Sequence, residues 1–259
     1  MEDKKDAVSA AGQISEDQWE RISGKRIFFG HQSVGENIMQ GIRELLKEET
    51  TIRLSIKETR DPRDFDSPVF AHSRIGKNED PKSKCEDFAK AMETGLGGKV
   101  DISFFKFCYV DFTSSTDVEK MFMQYRRTLS AMKGEYPRTT FIHVTAPLTI
   151  VQTGYKASLK KIIGKPVIGE NANVKRTQFN DMLRKEYGGK EPIFDLAEIE
   201  SVRPDGKPAF FEKEGKNYPF LVPDYTNDGG HLNPLGRKMV AKRLISFLAT
   251  IHSVSTSPK

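Results

Sequence analysis

The sequence predicts a single α/β domain, built as a three-layer α/β/α sandwich around a five-stranded parallel sheet. Short apolar runs that end in turn residues alternate along the chain with stretches in which apolar residues recur at helical spacing. With 259 residues, of which 37% are hydrophobic, the chain can bury one sizeable core. Such an alternation is typical of parallel strands joined by right-handed helical crossovers, with helices on both faces of the sheet.

The strands and helices are predicted from the spacing of apolar residues, which changes where a strand gives way to a helix. We expect helices from Val34, over residues 82–92, 117–132 and 173–187, and finally from Pro234, behind the helix cap Asn233. Residues 61–80 are predicted to be a loop because they are rich in Pro and Asp. The five strands are predicted to begin near these residues: Ile27, Ile52, Ile102, Thr140 and Ile193.

Two stretches fit this alternation poorly, residues 150–170 and residues 203–225. Long irregular loops in a compact domain are often functional, so we interpret both as candidate walls of a substrate site. Residues 156–165 carry four lysines and no acidic residue, and on charge alone we expect a solvated face there.

The ends of the chain and its charge limit the classes of function. Residues 1–14 are polar and predicted to form a disordered leader, residues 15–252 a single domain, and residues 253–259 a flexible tail. The 41 basic and 36 acidic residues are interspersed, which argues against a nucleic-acid partner. No apolar run approaches the ~18 residues of a membrane span, so we expect a soluble protein, cytoplasmic or exported with its signal already removed.

Polar, titratable residues gather where strands of a parallel sheet end, which is where such sheets bind ligands. Ser33 lies in a glycine-flanked turn between the first strand and the first helix, where its N–H and the helix dipole favour developing negative charge. A serine hydroxyl needs a base to act as a nucleophile. Asp228 and His231, three residues apart around a Gly-Gly turn, could supply the base and the group that orients it.

Two segments resemble the SGNH/GDSL hydrolases. Residues 28–33 (FFGHQS) look like the first block of that family, and residues 228–236 (DGGHLNPLG) look like its last block. The resemblance implies a flavodoxin-like sheet topology and a serine hydrolase without a cofactor. It implies that Ser33 is the nucleophile, His231 the general base and Asp228 the residue that orients this base.

The resemblance also implies an oxyanion hole. The family's second block is a glycine whose N–H joins that of the nucleophile, and Gly76 is the best match, beside the N–H of Ser33. The third block usually ends in Asn-Asp, but residues 106–111 (KFCYVD) contain no Asn. Asn78 is therefore our candidate for the third donor.

Three further residues are predicted to line the substrate pocket: His31, Tyr109 and Asp111. His31 follows Gly30 in the first block, where the family has aspartate, and it could instead bond a neighbouring strand or pack structurally. Asp111 could instead fix its loop. Taken alone, Ser33 could also be a helix cap, and His231 could serve only to tie its loop.

These patterns predict an ester hydrolase, most simply an acetylesterase acting on a carbohydrate or related substrate. The carbohydrate preference comes from the aromatic residues of the two wall segments. One alternative is a non-catalytic module on the same fold that binds a carbohydrate or a protein. Another is a metal-dependent phosphoesterase in which Zn²⁺ or Mn²⁺ is held by four residues: His31, Asp111, Asp228 and His231.

Overall fold

The computed structural model describes residues 13–49, 51–163 and 165–251, with only the backbone of residues 156–158 and 161. Most of the predicted leader and the predicted tail lie outside these residues. Ile14, which the sequence analysis places in the leader, is buried in the core. Ser15 then caps the first helix, α1 (Glu16–Ser23), by accepting a hydrogen bond from the N–H of Gln18.

A six-stranded sheet forms the centre of the molecule, and all of its strand pairs are parallel. The predicted α/β class is confirmed, and without β2 the strand order is the flavodoxin-like one. Along the sheet the order is β2-β3-β1-β4-β5-β6. The strands are β1 (Arg26–His31), β2 (Ile56–Glu58), β3 (Val69–Arg74), β4 (Ile102–Phe105), β5 (Thr140–Val144) and β6 (Ile193–Phe194).

The predicted strand count of five is wrong by one, because β3 lies within residues 61–80, which were predicted to be a loop. Pro and Asp are concentrated before Val69, and the second half of β3 is polar. His72 and Ser73 are nevertheless buried, because β3 lies between β1 and β2. The strand predicted from Ile52 is instead the short edge strand β2.

Helices cover both faces of the sheet. On one face α1, α2, α7 and α8 bury side chains such as Trp19, Ile38 and Leu244, and on the other α3, α4 and α6 bury Phe88, Leu129 and Phe179. The predicted sandwich is therefore confirmed. The helices after α1 are α2 (Ser33–Glu48), α3 (Pro81–Ala91), α4 (Val118–Glu135), α5 (Tyr155–Ile162), α6 (Glu170–Tyr187), α7 (Leu196–Ser201) and α8 (Pro234–Thr250).

The two stretches predicted to be irregular contain local structure. Residues 150–170 include α5. Residues 203–225 include an antiparallel hairpin of β7 (Phe210–Lys213) and β8 (Lys216–Pro219). Glu214 and Gly215 join these strands with φ values of 53° and 73°, as a two-residue hairpin turn of type I′ requires. No helix in the described ranges is long and apolar enough to cross a membrane.

The packing of α8 on α2 places the loop before α8 at the carboxyl edge of the sheet. Gly41 permits the close approach of the two helices, since a Cβ there would lie 2.4 Å from the Arg237 carbonyl oxygen. Asn233 begins α8 by accepting from the N–H groups of Leu235 and Gly236. The loop that carries Asp228 and His231 therefore lies beside the start of α2, where Ser33 is found.

Candidate active site

Ser33 is the first residue of α2 and follows β1 by a single intervening residue, Gln32. Gln32 caps the helix through its backbone alone, while its side-chain amide donates to the carbonyls of Ile75 (2.7 Å) and Gly76 (2.9 Å). Gln32 thus joins the turn after β1 to the loop after β3. Within the described ranges the N–H of Ser33 has no hydrogen-bond acceptor, so it is available at the positive end of the helix dipole.

The structure brings Ser33, His231 and Asp228 together in one hydrogen-bonded row. Ser33 Oγ lies 2.9 Å from His231 Nε2, and His231 Nδ1 lies 2.6 Å from Asp228 Oδ2. The carboxylate fixes the Nδ1–H tautomer, so Nε2 can accept the hydroxyl proton of Ser33. These contacts span 198 residues of sequence and have the geometry that a nucleophile and its base require.

The Asp228 turn is built to keep its carboxylate ionised. Asp228 Oδ1 accepts from the N–H groups of Gly230 (3.0 Å) and His231 (2.8 Å). Partial burial opposes ionisation, but the bonds from Gly230 and His231 together lower the pKa of Asp228 well below its ordinary range. Gly229, at a φ of 91°, permits the tight turn.

Asn37 is a site residue that the sequence reasoning missed. Its Oδ1 accepts from the N–H of Leu232 at 3.1 Å, which ties the histidine loop to α2. Asn37 lies four residues after Ser33, so the two share a face of α2. That spacing was the only signal in the sequence that could have identified it.

The predicted oxyanion donors after β3 are not placed as expected. The N–H of Gly76 donates to Asp87 Oδ2 at 2.8 Å, so it is already engaged within the fold. Gly76 instead meets a steric need, since its φ is 52° and a Cβ would lie 2.5 Å from the Lys84 nitrogen. The Asn78 side chain is exposed, and its Oδ1 accepts from Lys84 Nζ at 3.3 Å.

His31 is not a pocket residue. It is fully buried, with Nδ1 2.9 Å from the Gln32 carbonyl oxygen and Nε2 2.9 Å from His72 Nδ1. Arg43 Nη2 lies 2.7 Å from His72 Nε2, so the row runs from Arg43 through two neutral imidazoles to the nucleophile turn. Burial lowers the pKa of His31 to about 3 and also lowers the pKa of His72.

Asp111 also points inward. Of the three predicted pocket residues, only Tyr109 contacts the row formed by Ser33, His231 and Asp228. Asp111 forms a fully buried ion pair with Lys84 and accepts from the N–H of Cys108 at 2.7 Å, so it fixes the loop after β4. Tyr109 lies edge-on to His231, with its hydroxyl 3.4 Å from both Nδ1 and Nε2.

Arg176, another residue that the sequence reasoning missed, holds the backbone of Tyr109. Its guanidinium is almost fully buried and donates twice to the Tyr109 carbonyl oxygen, from Nη2 at 2.8 Å and from Nε at 3.3 Å. Its Nη1 donates to Thr149 Oγ1 and Asn173 Oδ1. Arg176 therefore holds the loop after β4 at the Tyr109 carbonyl, and Lys84 holds the same loop at Asp111.

The four residues of the hypothetical metal site do not assemble. His31 faces His72 and Asp111 faces Lys84, whereas Asp228 and His231 belong to the row with Ser33. Among the described residues, His31, Glu36 and His72 do place ligand atoms within 4.8 Å of one another. The ring nitrogens of this group are already hydrogen-bonded, and the Arg43 guanidinium against His72 would repel a cation.

Comparison with known proteins bears on the fold. No protein-family model and no curated protein matches the chain. A structure from Streptococcus pneumonia, provisionally described as a platelet activating factor, is 15% identical over 95% of this chain and 91% of its own, with a TM-score of 0.50.

Two further solved structures align less well. The lipase/acylhydrolase from Enterococcus faecalis is 12% identical over 87% of this chain and 95% of its own, with a TM-score of 0.49. A protein of Desulfitobacterium hafniense, provisionally described as lipolytic and of the G-D-S-L family, is 8% identical over 86% of this chain and 99% of its own, with a TM-score of 0.48. At identities this low the comparisons bear on the fold alone, and the structure from Streptococcus pneumonia supports the α/β fold over most of both chains.

Proposed function

We propose that this protein is a serine hydrolase of carboxylic esters, in which Ser33 is the nucleophile, His231 the general base and Asp228 the residue that orients the base. The observation that carries the proposal is the contact of 2.9 Å between Ser33 Oγ and His231 Nε2, with Asp228 on the opposite ring nitrogen. A serine that only caps a helix, or a histidine that only ties a loop, needs no such alignment.

The reaction follows from this alignment. Ser33 Oγ attacks the ester carbonyl while its proton moves to His231 Nε2, and the carbonyl oxygen becomes an oxyanion near the N–H of Ser33. When the intermediate collapses, His231 gives the proton to the departing alcohol and Ser33 carries the acyl group. Water, deprotonated by His231, then attacks the acyl carbon, and the acid leaves as Ser33 recovers its proton.

Tyr109 is our candidate for the missing oxyanion donor. Its hydroxyl lies 3.4 Å from both ring nitrogens of His231, and Ser33 Oγ lies 2.9 Å from Nε2, so the hydroxyl lies close to the reacting atoms. Partial burial raises the pKa of Tyr109, which keeps the hydroxyl protonated and able to donate. Arg176 and the pair of Lys84 with Asp111 hold the loop, so the hydroxyl is oriented before substrate binds.

We propose further that the acyl group of the ester is short, acetyl in the simplest case. A carbohydrate as the alcohol of the ester is the part of the proposal with the least support. The carbohydrate preference came from aromatic residues of the wall segments. Of these, Phe211, Phe220 and Tyr225 are core residues, whereas Tyr155 and Phe210 are exposed. We retain an acetylated oligosaccharide as one substrate to test.

The test is hydrolysis of short and long p-nitrophenyl esters and of acetylated oligosaccharides by the purified protein. We expect Ser33→Ala to lower kcat by roughly 10⁴–10⁶-fold, with EDTA having no effect. Activity that survives Ser33→Ala would contradict the proposal, and activity that EDTA abolishes would favour metal chemistry. A folded protein that hydrolyses none of these esters but binds oligosaccharide or protein would favour the binding module.

A further inference from the structure

An unusually apolar surface lies on α5 and the residues that follow it, residues 155–168, which we call the flap. Five of the seven exposed large hydrophobic side chains among the described residues belong to the flap. They are Tyr155 (81% exposed), Leu159 (43%), Ile162 (81%), Ile163 (54%) and Ile168 (67%). Scattered single apolar residues are normal on a surface, but a concentration of this kind indicates a binding surface.

The exposed apolar residues of α5 form one stripe. Tyr155, Leu159 and Ile162 of α5 and Ile163 directly after it follow the spacing i, i+4, i+7 and i+8, which places them on one face of a helix. A helix of a globular domain normally turns such a stripe toward the core. Here the buried anchors are Val151 and Val167, on either side of the helix, and the stripe itself faces outward.

The flap is also strongly basic. Its sequence contains four lysines, at positions 156, 160, 161 and 165, and no acidic residue. The Nζ of Lys160 contacts a neutral acceptor, Gln152 Oε1, at 2.7 Å. A short helix with an apolar stripe and lysines beside it is typical of segments that lie in the surface of an anionic membrane. A carbohydrate or a neutral surface would not account for both features.

The flap is fastened next to the candidate active site. The N–H of Gln152 donates to the Ile168 carbonyl (3.0 Å), so the flap leaves and rejoins the domain at one place. The N–H of Ile150 donates to the carbonyl of Gly229, between Asp228 and His231, at 2.9 Å. A surface that binds the flap would therefore lie close to the row formed by Ser33, His231 and Asp228.

We propose that residues 155–168 bind the surface of an anionic lipid membrane, with the exposed stripe inserted among the lipids and the lysines against their headgroups. This inference goes beyond the proposed function, because it concerns the surface on which the protein works and not the bond it breaks. It requires no membrane-spanning helix.

The test is co-sedimentation with vesicles, which measures binding without activity. Vesicles of phosphatidylcholine with about one third phosphatidylglycerol are compared with pure phosphatidylcholine at low salt. Two double variants address the two features: Leu159→Ser with Ile162→Ser removes part of the stripe, and Lys160→Glu with Lys165→Glu reverses two charges. Phe210→Ser, which changes an exposed apolar residue outside the flap, is the matched control.

We expect binding to the anionic vesicles alone, weakened at least ~10-fold by either double variant and unchanged by Phe210→Ser. Ser33→Ala should bind like the unaltered protein, so a failure of the hydrolase proposal would leave this result intact. The inference is overturned by absence of binding, by equal binding to neutral vesicles, or by double variants that bind normally. It is also overturned if the unaltered protein forms a dimer that the stripe variant abolishes, since a second copy would then cover the stripe.

Discussion

Tyr109 offers the sharpest single-atom test of the proposed oxyanion hole. Tyr109→Phe removes the hydroxyl near His231 Nε2 and leaves the ring that packs against His231. Loss of one oxyanion donor typically lowers turnover by about 10²–10³-fold, so we expect kcat to fall by this order with KM little changed. The measurement is steady-state hydrolysis of a short p-nitrophenyl ester.

Tyr136→Phe is the matched control. The hydroxyl of Tyr136 donates to Glu135, and Tyr136 lies just before β5, at the amino ends of the strands and so on the side of the sheet opposite the candidate site. Tyr136→Phe should keep full activity. If Tyr109→Phe does the same, the tyrosine only packs against His231, and the second donor must be sought elsewhere.

Gly35 has no room for a side chain. A Cβ at Gly35 would lie 2.2 Å from His31 Cβ, and His31 cannot withdraw because it is buried and bonded at both ring nitrogens. We expect Gly35→Ala to lower the free energy of unfolding by about 1–3 kcal/mol through overpacking. Gly134→Ala, where nothing lies within 4 Å, should raise it by up to about 1 kcal/mol through helix propensity. Urea unfolding of the two variants checks this, and equal stabilities would contradict it.

The residues that the sequence could identify are those whose partners lie in the same short motif or in a second recognisable one. Asp228 and His231 belong to one turn, and Ser33 to a strand-turn-helix segment that resembles a known block. The roles of Gly76 and His31 depend instead on Asp87 and His72, which come from other elements and carry no pattern of their own. Such partners are visible only once the chain is folded.

At the scale of the element, a buried ion pair joins α3 to the loop after β4. Lys84 Nζ lies 2.7 Å from Asp111 Oδ1, and both side chains are fully buried. Removal of one partner leaves an unpaired buried charge, which typically costs about 3–5 kcal/mol. We therefore expect Lys84→Met to destabilise the fold by this order, as measured by urea unfolding.

The same helix supplies the control. Lys82 pairs with Glu86 at 3.4 Å, and both of these side chains are mostly exposed. Exposed pairs contribute at most about 1 kcal/mol, so Lys82→Met should have a small effect. A Lys84→Met variant as stable as Lys82→Met would show that the buried pair does not hold the loop.

Helices could be predicted from the sequence where apolar residues recur at helical spacing and the ends of the helix are marked. The bounds of α2, α3, α4, α6 and α8 are close to the predicted ones, because apolar residues recur at helical spacing along each helix and the cap Asn233 marks the start of α8. β3 was missed because its burial comes from its place between β1 and β2, which a local pattern does not contain. α5 was missed because it is only eight residues long and its lysines were interpreted as a solvated face.

For the whole molecule, the buried histidines predict loss of stability in acid. Burial lowers the pKa of His31 to about 3 and that of His143 to about 4, and it lowers the pKa of His72 as well. In the unfolded chain a histidine has a pKa of about 6.5. Below that pH the unfolded chain therefore binds protons that the folded chain refuses, so the free energy of unfolding falls from about pH 6.5 toward pH 4.

One buried carboxyl acts in the opposite direction. Burial raises the pKa of Glu200 to about 8, so the folded chain keeps a proton that the unfolded chain loses above its ordinary pKa. Acidification from pH 8 to about pH 4.5 therefore raises the free energy of unfolding, by the contribution of the one proton that Glu200 keeps in the folded chain. His31 and His143 oppose this one carboxyl, so these three groups leave the unfolded chain with about one more bound proton than the folded chain between pH 6 and pH 5, and the lowered pKa of His72 adds in the same direction.

The expected slope is at least about 1.4 kcal/mol of unfolding free energy per pH unit between pH 6 and pH 5, which is the contribution of one proton. Urea unfolding at closely spaced pH values measures it. In His143→Gln the slope should fall by the contribution of one proton, about 1.4 kcal/mol per pH unit. This holds whatever the variant's stability at pH 7, because a constant loss of packing against Tyr187 shifts the curve without changing its slope. A curve that is flat or rises on acidification in this window would mean that the histidines can take up protons without unfolding. The neutral row from Arg43 through His72 to His31 would then be the wrong description of what supports the nucleophile turn.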